Sequence, residues 1–124
     1  MRNAFIKTLT ELAGVDPNIY LLTGDLGFTV FEDFMQKYPD QYLNCGVAEQ
    51  NMIGMAAGLA MSGKKVFVYS IVPFAVFRAL EQIRNDVCAH NSDVKIVGVG
   101  GGYSYGPSGP THHSVEDIAV MKAI

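Results

Sequence analysis

Asn44-Cys45-Gly46-Val47-Ala48-Glu49-Gln50-Asn51 runs directly into Met52-Ile53-Gly54-Met55-Ala56-Ala57-Gly58-Leu59-Ala60-Met61, a stretch without a charged or polar side chain. At about 3.6 residues per turn the second stretch predicts a helix that is apolar all round, hence buried on several sides. Gly54 and Gly58 lie roughly one turn apart and carry no side-chain bulk, so another backbone could approach there. Counting from Glu49, the same face continues through Met52, Ile53, Ala56 and Ala60. One carboxylate therefore stands over an apolar face in the first turn, a costly place for a charge unless something pairs with it. A solvated first-turn acid favoured by the helix dipole would account for its position. The alternative is a carboxyl withheld from water so that it can hydrogen-bond a group that titrates.

Outward from this helix the chain alternates helix and strand. Phe5, Ile6, Leu9, Leu12 and Ala13 mark one helical face, which Gly14 and Asp16-Pro17 end. Ile19-Tyr20-Leu21-Leu22 suits a strand covered on both sides. After the loop Gly24-Asp25-Leu26-Gly27, Phe28, Phe31, Phe34 and Met35 recur with helical spacing until Tyr38-Pro39. Tyr42-Leu43-Asn44 predicts a short strand leading into the central helix, which Gly63 closes. Val66-Phe67-Val68-Tyr69 predicts another strand, followed by a helix from Phe74 to His90 and a strand from Val94 to Val99. Beyond the Gly/Pro loop Gly100–Pro110, Ser114-Val115-Glu116-Asp117 resembles a capping box with Asp in its last place. It would open a final helix with Val115, Ile118 and Ala119 inward and Met121 at the margin. Strands spaced by helices predict an α/β fold, a parallel sheet with helices on both faces, in one domain over residues 1–124.

The chain has 124 residues, 49% of them apolar and 17% charged, with a net charge of −3. No basic face is available for nucleic acid and no polybasic stretch for a membrane surface. The longest apolar run is too short and too glycine-rich to span a bilayer. Cys45 and Cys88 fit no metal spacing and read as reduced thiols, so a cytoplasmic protein is expected.

Three further stretches carry candidate chemistry. On the helix predicted from Phe74, the core stripe is Val76, Ala79, Leu80, Ile83 and Val87. Phe74 and Phe77 project together on another side, either filling a gap against a loop or subunit or offering a flat platform for a heterocycle. Gly98-Val99-Gly100-Gly101-Gly102 is glycine-rich after a strand, but no helix follows closely enough to hold a pyrophosphate. Gly102-Tyr103-Ser104-Tyr105-Gly106 fits the G-x-S-x-G pattern of serine hydrolases, yet Pro107 and Pro110 disfavour the strand–turn–helix that pattern requires.

Gly46-Val47-Ala48-Glu49-Gln50-Asn51, followed by a Gly/Ala helix, resembles the pyrimidine-binding domain of transketolase-like thiamine-diphosphate-dependent enzymes, and the resemblance covers nearly the whole chain. It implies that Glu49 hydrogen-bonds the aminopyrimidine ring of thiamine diphosphate and activates the cofactor's reactive carbon. Phe-Ala-Val-Phe before Arg78-Ala79-Leu80-Glu81-Gln82-Ile83-Arg84-Asn85 resembles the family segment whose aromatics pack on that ring, which gives Phe74 and Phe77 a cofactor-binding role. Gly24-Asp25-Leu26 resembles the family's Asp-Leu near the domain start, where Asp25 would line the site. Gly109-Pro110-Thr111-His112 resembles the family's Gly-Pro-Thr-His and implies that His112 contacts substrate or transfers a proton. His113 stands where glutamine is frequent and receives no role.

Two departures concern the substrate side. Ser108 and Gly100 stand where sugar-phosphate transketolases usually have an acid and a second histidine. The resemblance therefore implies a transketolase-like enzyme that moves a two-carbon ketol unit, on an unusual sugar. The beta subunit of a 2-oxo acid dehydrogenase and a non-catalytic dimerisation module are alternatives. No Gly-Asp-Gly metal loop is present, so no metal ligands are expected here, and Mg²⁺ would come through a partner domain or subunit that binds the diphosphate. Members continue beyond the position of Ile124, so the resemblance implies a C-terminally incomplete pyrimidine domain, a fragment or one part of a split enzyme. The implied assembly is a homodimer or heterotetramer.

Overall fold

The computed structural model describes residues 1–124. Strands β1 (Ile19–Thr23), β2 (Tyr42–Asn44), β3 (Lys65–Ile71) and β4 (Val94–Val99) form one four-stranded sheet in the order β2-β1-β3-β4. All pairings are parallel, with Leu21 opposite both Tyr42 and Phe67, and Val68 opposite Ile96. Successive strand residues face opposite sides, and both sides are covered. Leu22, Val66 and Val68 pack against Met52, Ile53, Ala56 and Ala57 of helix α3 (Glu49–Met61). On the other face, Leu21 and Tyr69 meet Ile6 and Leu9 of α1 (Arg2–Ala13) and Phe34 of α2 (Glu32–Lys37), with Phe31 beside it. Strands buried on both faces need no polar side, which is why β1 and β3 read as continuous apolar runs. No helix is long and apolar enough to cross a membrane.

The expected alternation of helix and strand holds, while several faces differ from the periodicity. Helix α3 ends at Gly63 (φ +87), whose N–H bonds the Ala60 carbonyl at 2.9 Å. It is not buried all round: Met55, Gly58 and Met61 lie on its outer side, Met61 57% exposed. The sheet and the π-helical segment over Ile83–Cys88 cover α3 from one side only, and of the glycine pair only Gly54 has a near neighbour, the Asp86 carboxylate at 3.9 Å from a would-be Cβ. Nothing lies within 4 Å of where a Cβ would stand at Gly58.

In α1, Leu12 faces outward and Thr10 faces in, its hydroxyl donating to the Ile6 carbonyl at 2.7 Å. Gly14 ends α1 with right-handed backbone rather than a left-handed cap. A Cβ there would stand 2.6 Å from the Tyr38 hydroxyl, so a larger residue would make the tip of that half-buried side chain shift. The helix expected from Phe28 begins only at Glu32. Asp25, Gly27 and Thr29 take positive φ and turn the chain first, leaving Phe28 75% exposed while Phe31 and Phe34 are buried. Each of those two buried rings contributes about 1.5–3 kcal/mol.

The single helix expected over Phe74–His90 is broken into three pieces. A short α4 (Val72–Ala75) opens with Pro73 in its first turn, where the missing N–H costs nothing. Residues 76–79 form a turn, α5 covers Leu80–Gln82, and Ile83–Cys88 is π-helical. The break arises where Phe77 and Arg78 both donate to the Pro73 carbonyl, at 3.0 and 3.2 Å. Ala79, Ile83 and Val87 remain in the core across it.

The capping box does not form. Helix α6 (Asp117–Lys122) is capped by Glu116, without a side-chain hydrogen bond. Ser114 is instead drawn into an antiparallel bridge with Gly102, its N–H and carbonyl both bonded there at 2.9 and 2.7 Å. With the helix starting later, the expected inward stripe turns out: Val115 and Ile118 are exposed and Met121 packs on the core.

Candidate functional site

From the central pair of strands the chain leaves β1 toward one edge of the sheet and β3 toward the other. The carboxyl ends of two such strands bound a crevice, because their connections part there. Gly24 follows β1 at this end, Ser70 and Ile71 finish β3, and Glu49 opens α3 beside them. A Cβ at Gly24 would lie 3.0 Å from Glu49 Oε1 and 3.2 Å from Ser70 Oγ, so the glycine leaves space for the carboxyl group.

Glu49 is 0% exposed. The Ser70 hydroxyl donates to its Oε1 at 2.9 Å, and Arg78 Nη1 donates to its Oε2 at 2.5 Å. The charge is thus matched and each oxygen has a partner, which makes burial tolerable. Arg78 comes from the turn between α4 and α5. Its guanidinium carbon lies 4.2 Å from the centre of the Phe74 ring. The His112 ring stands 5.0 Å beyond, roughly perpendicular to Phe74.

Phe74 and Arg78 line a cleft of about 610 Å³ whose wall also includes Phe77, Thr111, His113 and Glu116, while Glu49 lies behind Arg78. Its lining mixes the Phe74 and Phe77 rings with polar Arg78, Thr111, His113 and Glu116, a combination that suits a flat ring bearing polar groups. The Thr111 hydroxyl lies 3.0 Å from His112 Nδ1, leaving Nε2 without a partner in the chain. It is His113, given no role from sequence, that lines the cleft, with Nε2 3.3 Å from the Gly106 carbonyl, while His112 packs against the Phe74 ring.

The structure thus brings Glu49, Phe74, Phe77 and His112 to one end of the sheet. Asp25 has a separate partner: it is exposed, takes φ +56, and accepts from Asn44 Nδ2 at 2.9 Å. Gly100 (φ +74) has no room for a side chain, because the Tyr105 ring fills the space within 2.0 Å of a would-be Cβ. Tyr105 in turn stands 6.0 Å from the His112 ring. Ser104 lies in a turn and donates to the Gly101 carbonyl at 2.7 Å, so the strand–turn–helix of a hydrolase nucleophile is not formed. Burial pushes the Cys45 thiol up, which makes it a poor nucleophile near neutrality.

Sequence reading missed Ser70 and Arg78. A signal was available: a buried carboxylate needs a cation, and Arg78 is the lone charge between Val66 and Leu80.

The family model for the transketolase pyrimidine-binding domain matches residues 1–124. One of the apulose-4-phosphate transketolase subunits of Phocaeicola vulgatus is 48% identical over 122 residues, covering 98% of this chain and 39% of that protein. The 6-deoxy-6-sulfo-D-fructose transketolase subunit SqwH of Clostridium sp. strain MSTE9 is 38% identical, covering 100% of this chain and 39% of that protein. Among solved structures, a split gene transketolase described as an inactive beta4 tetramer superposes with a TM-score of 0.83 at 36% identity, covering 99% of this chain and 39% of that one. The chain therefore spans about two fifths of the length of these relatives. Matched from end to end by the domain model, and resembling solved and curated members in both sequence and fold, it belongs to the transketolase pyrimidine-binding domain family.

Proposed function

We propose that the chain forms the pyrimidine-binding side of a thiamine-diphosphate-dependent, transketolase-like transferase that moves a two-carbon ketol unit between sugars. The observation that carries the reading is Glu49, a carboxyl fully withdrawn from water at the sheet's crevice and joined through Arg78 to a wall with two phenyl rings. These residues fit the aminopyrimidine end of the cofactor. Glu49 would hold a ring nitrogen at the edge, Phe74 and Phe77 would cover a face, and the missing side chain of Gly24 keeps the carboxyl in place. When bound, thiamine diphosphate supplies a carbon nucleophile that the twenty side chains lack. His112, oriented through Nδ1 by Thr111, would accept or donate a proton at a substrate hydroxyl through Nε2. Asp25 would lie at the outer edge of the site.

The diphosphate and its Mg²⁺ are assigned to a partner domain or subunit, in a homodimer or heterotetramer. Relatives described as transketolase subunits and as a split gene product support that division. The substrate is assigned to sugars with a ketol group, as the relatives' names suggest. The chain's two cysteines are unpaired, which suits the cytoplasm.

Glu49→Gln in the assembled enzyme tests the reading. Proton–deuterium exchange at the cofactor's reactive carbon should slow by about 10²–10⁴, while the shape of the site is kept. Unchanged exchange would return Glu49 to an ordinary buried ion pair and remove the basis for the assignment.

A further inference from the structure

Glu49 and Phe74 already share an occupant. Arg78 donates to Glu49 Oε2 at 2.5 Å, and its guanidinium carbon stands 4.2 Å from the centre of the Phe74 ring. A guanidinium is planar, delocalised and donor-only; it bonds carboxylates along its edge and stacks on aromatic rings with its face. Those are the two contacts that a planar aminopyrimidine would make with the same pair of residues. Ser70 holds Oε1, so the side of Glu49 that faces Phe74 is the one Arg78 occupies, and a newcomer to it must displace the guanidinium.

We propose that Arg78 is a resident occupant of the pyrimidine site, filling the place between Glu49 and Phe74 until it swings out to admit the ring. The proposal rests on the thiamine reading above. Arg78 is built to move: its side chain is 39% exposed, it lies in the turn at 76–79 rather than in a helix, and Glu49 is its only side-chain hydrogen-bond partner. Its departure alone would leave a buried carboxylate uncompensated. The exchange therefore proceeds only as an incoming ring takes over the carboxyl. Arg78 keeps the unliganded site satisfied and makes the cofactor compete with an internal ligand.

The test uses the full-length enzyme assembled with its diphosphate-binding partner, titrated with thiamine diphosphate and Mg²⁺ by calorimetry and stopped-flow fluorescence. Apparent affinity is reduced in proportion to the fraction of sites held closed. If Arg78 holds nine sites in ten, Arg78→Ala should bind about tenfold more tightly and associate faster. Arg78→Lys, which keeps the charge without the plane, should fall between the two. Equal or weaker binding by Arg78→Ala, with Lys restoring it, would make Arg78 a support for Glu49 and overturn the proposal. Should the Ala variant fail to fold, as judged by circular dichroism, Arg78→Gln carries the same comparison: tighter binding supports the proposal and equal or weaker binding overturns it. If the wild-type assembly binds no thiamine diphosphate, the thiamine reading itself falls, an outcome distinct from binding that is indifferent to Arg78.

Discussion

Ser70 donates its hydroxyl to a carboxyl oxygen that water does not reach, so deleting it strands a buried acceptor. Ser70→Ala is expected to destabilise the fold by about 1–3 kcal/mol. The reading is a lowered urea midpoint with unchanged slope; an unmoved midpoint would mean that water or Arg78 replaces the hydroxyl. Gly24 belongs to the same account, since its missing Cβ is what leaves the carboxyl its position. Glu49 was legible as an anomaly of the periodicity, an acid heading an apolar face. Its two partners were not, because neither is near it in sequence: Ser70 lies 21 residues away and Arg78 lies 29.

The segment from Val72 to Cys88 divides its labour by element. Ala79, Ile83 and Val87 hold it in the core, while α4 and the following turn put Phe74, Phe77 and Arg78 on the cleft wall. A continuous helix would satisfy more backbone within itself, but the break lets the turn residue Arg78 reach the head of α3. Phe31, nearly inaccessible beneath the sheet, and Phe77, half-buried on the wall, therefore predict different outcomes. Phe31→Ala should cost about 3–5 kcal/mol. Phe77→Ala removes roughly half the buried area and should cost about 1 kcal/mol, while weakening thiamine diphosphate binding in the assembled enzyme. Thermal denaturation paired with calorimetry separates the two, and a core-sized loss at Phe77 would exclude a binding role for its ring.

Across the whole molecule, the site draws on the ends of β1 and β3, the head of α3, the α4–α5 turn and the loop bearing His112. Only the strand order unites them. The chain also spans about two fifths of its relatives, and α3 presents Met55, Gly58 and Met61 outward. If the diphosphate and Mg²⁺ are held elsewhere, this chain alone should bind thiamine diphosphate weakly, because such a Mg²⁺ is held jointly by carboxylates and phosphate oxygens. Titration calorimetry with and without the diphosphate-binding partner reads this directly. Tight binding by the chain alone would overturn the division of the site.

Periodicity by itself determined that β1 is a strand covered on both faces, where α3 begins and stops, and that an acid heads its apolar face; whether that acid is solvated or trapped it left open. Those properties are local: a run of apolar residues or a glycine at positive φ constrains the chain wherever its neighbours come from. Tertiary structure alone decided what each buried face meets. It set Tyr38 over Gly14 and Tyr105 over Gly100, moved Ser114 from a helix cap to a bridge, and broke one expected helix at residues 76–79. It also gave Glu49 its partner in Arg78, because a hydrophobic pattern records that a side chain is withdrawn from water but not which distant group the strand order brings against it.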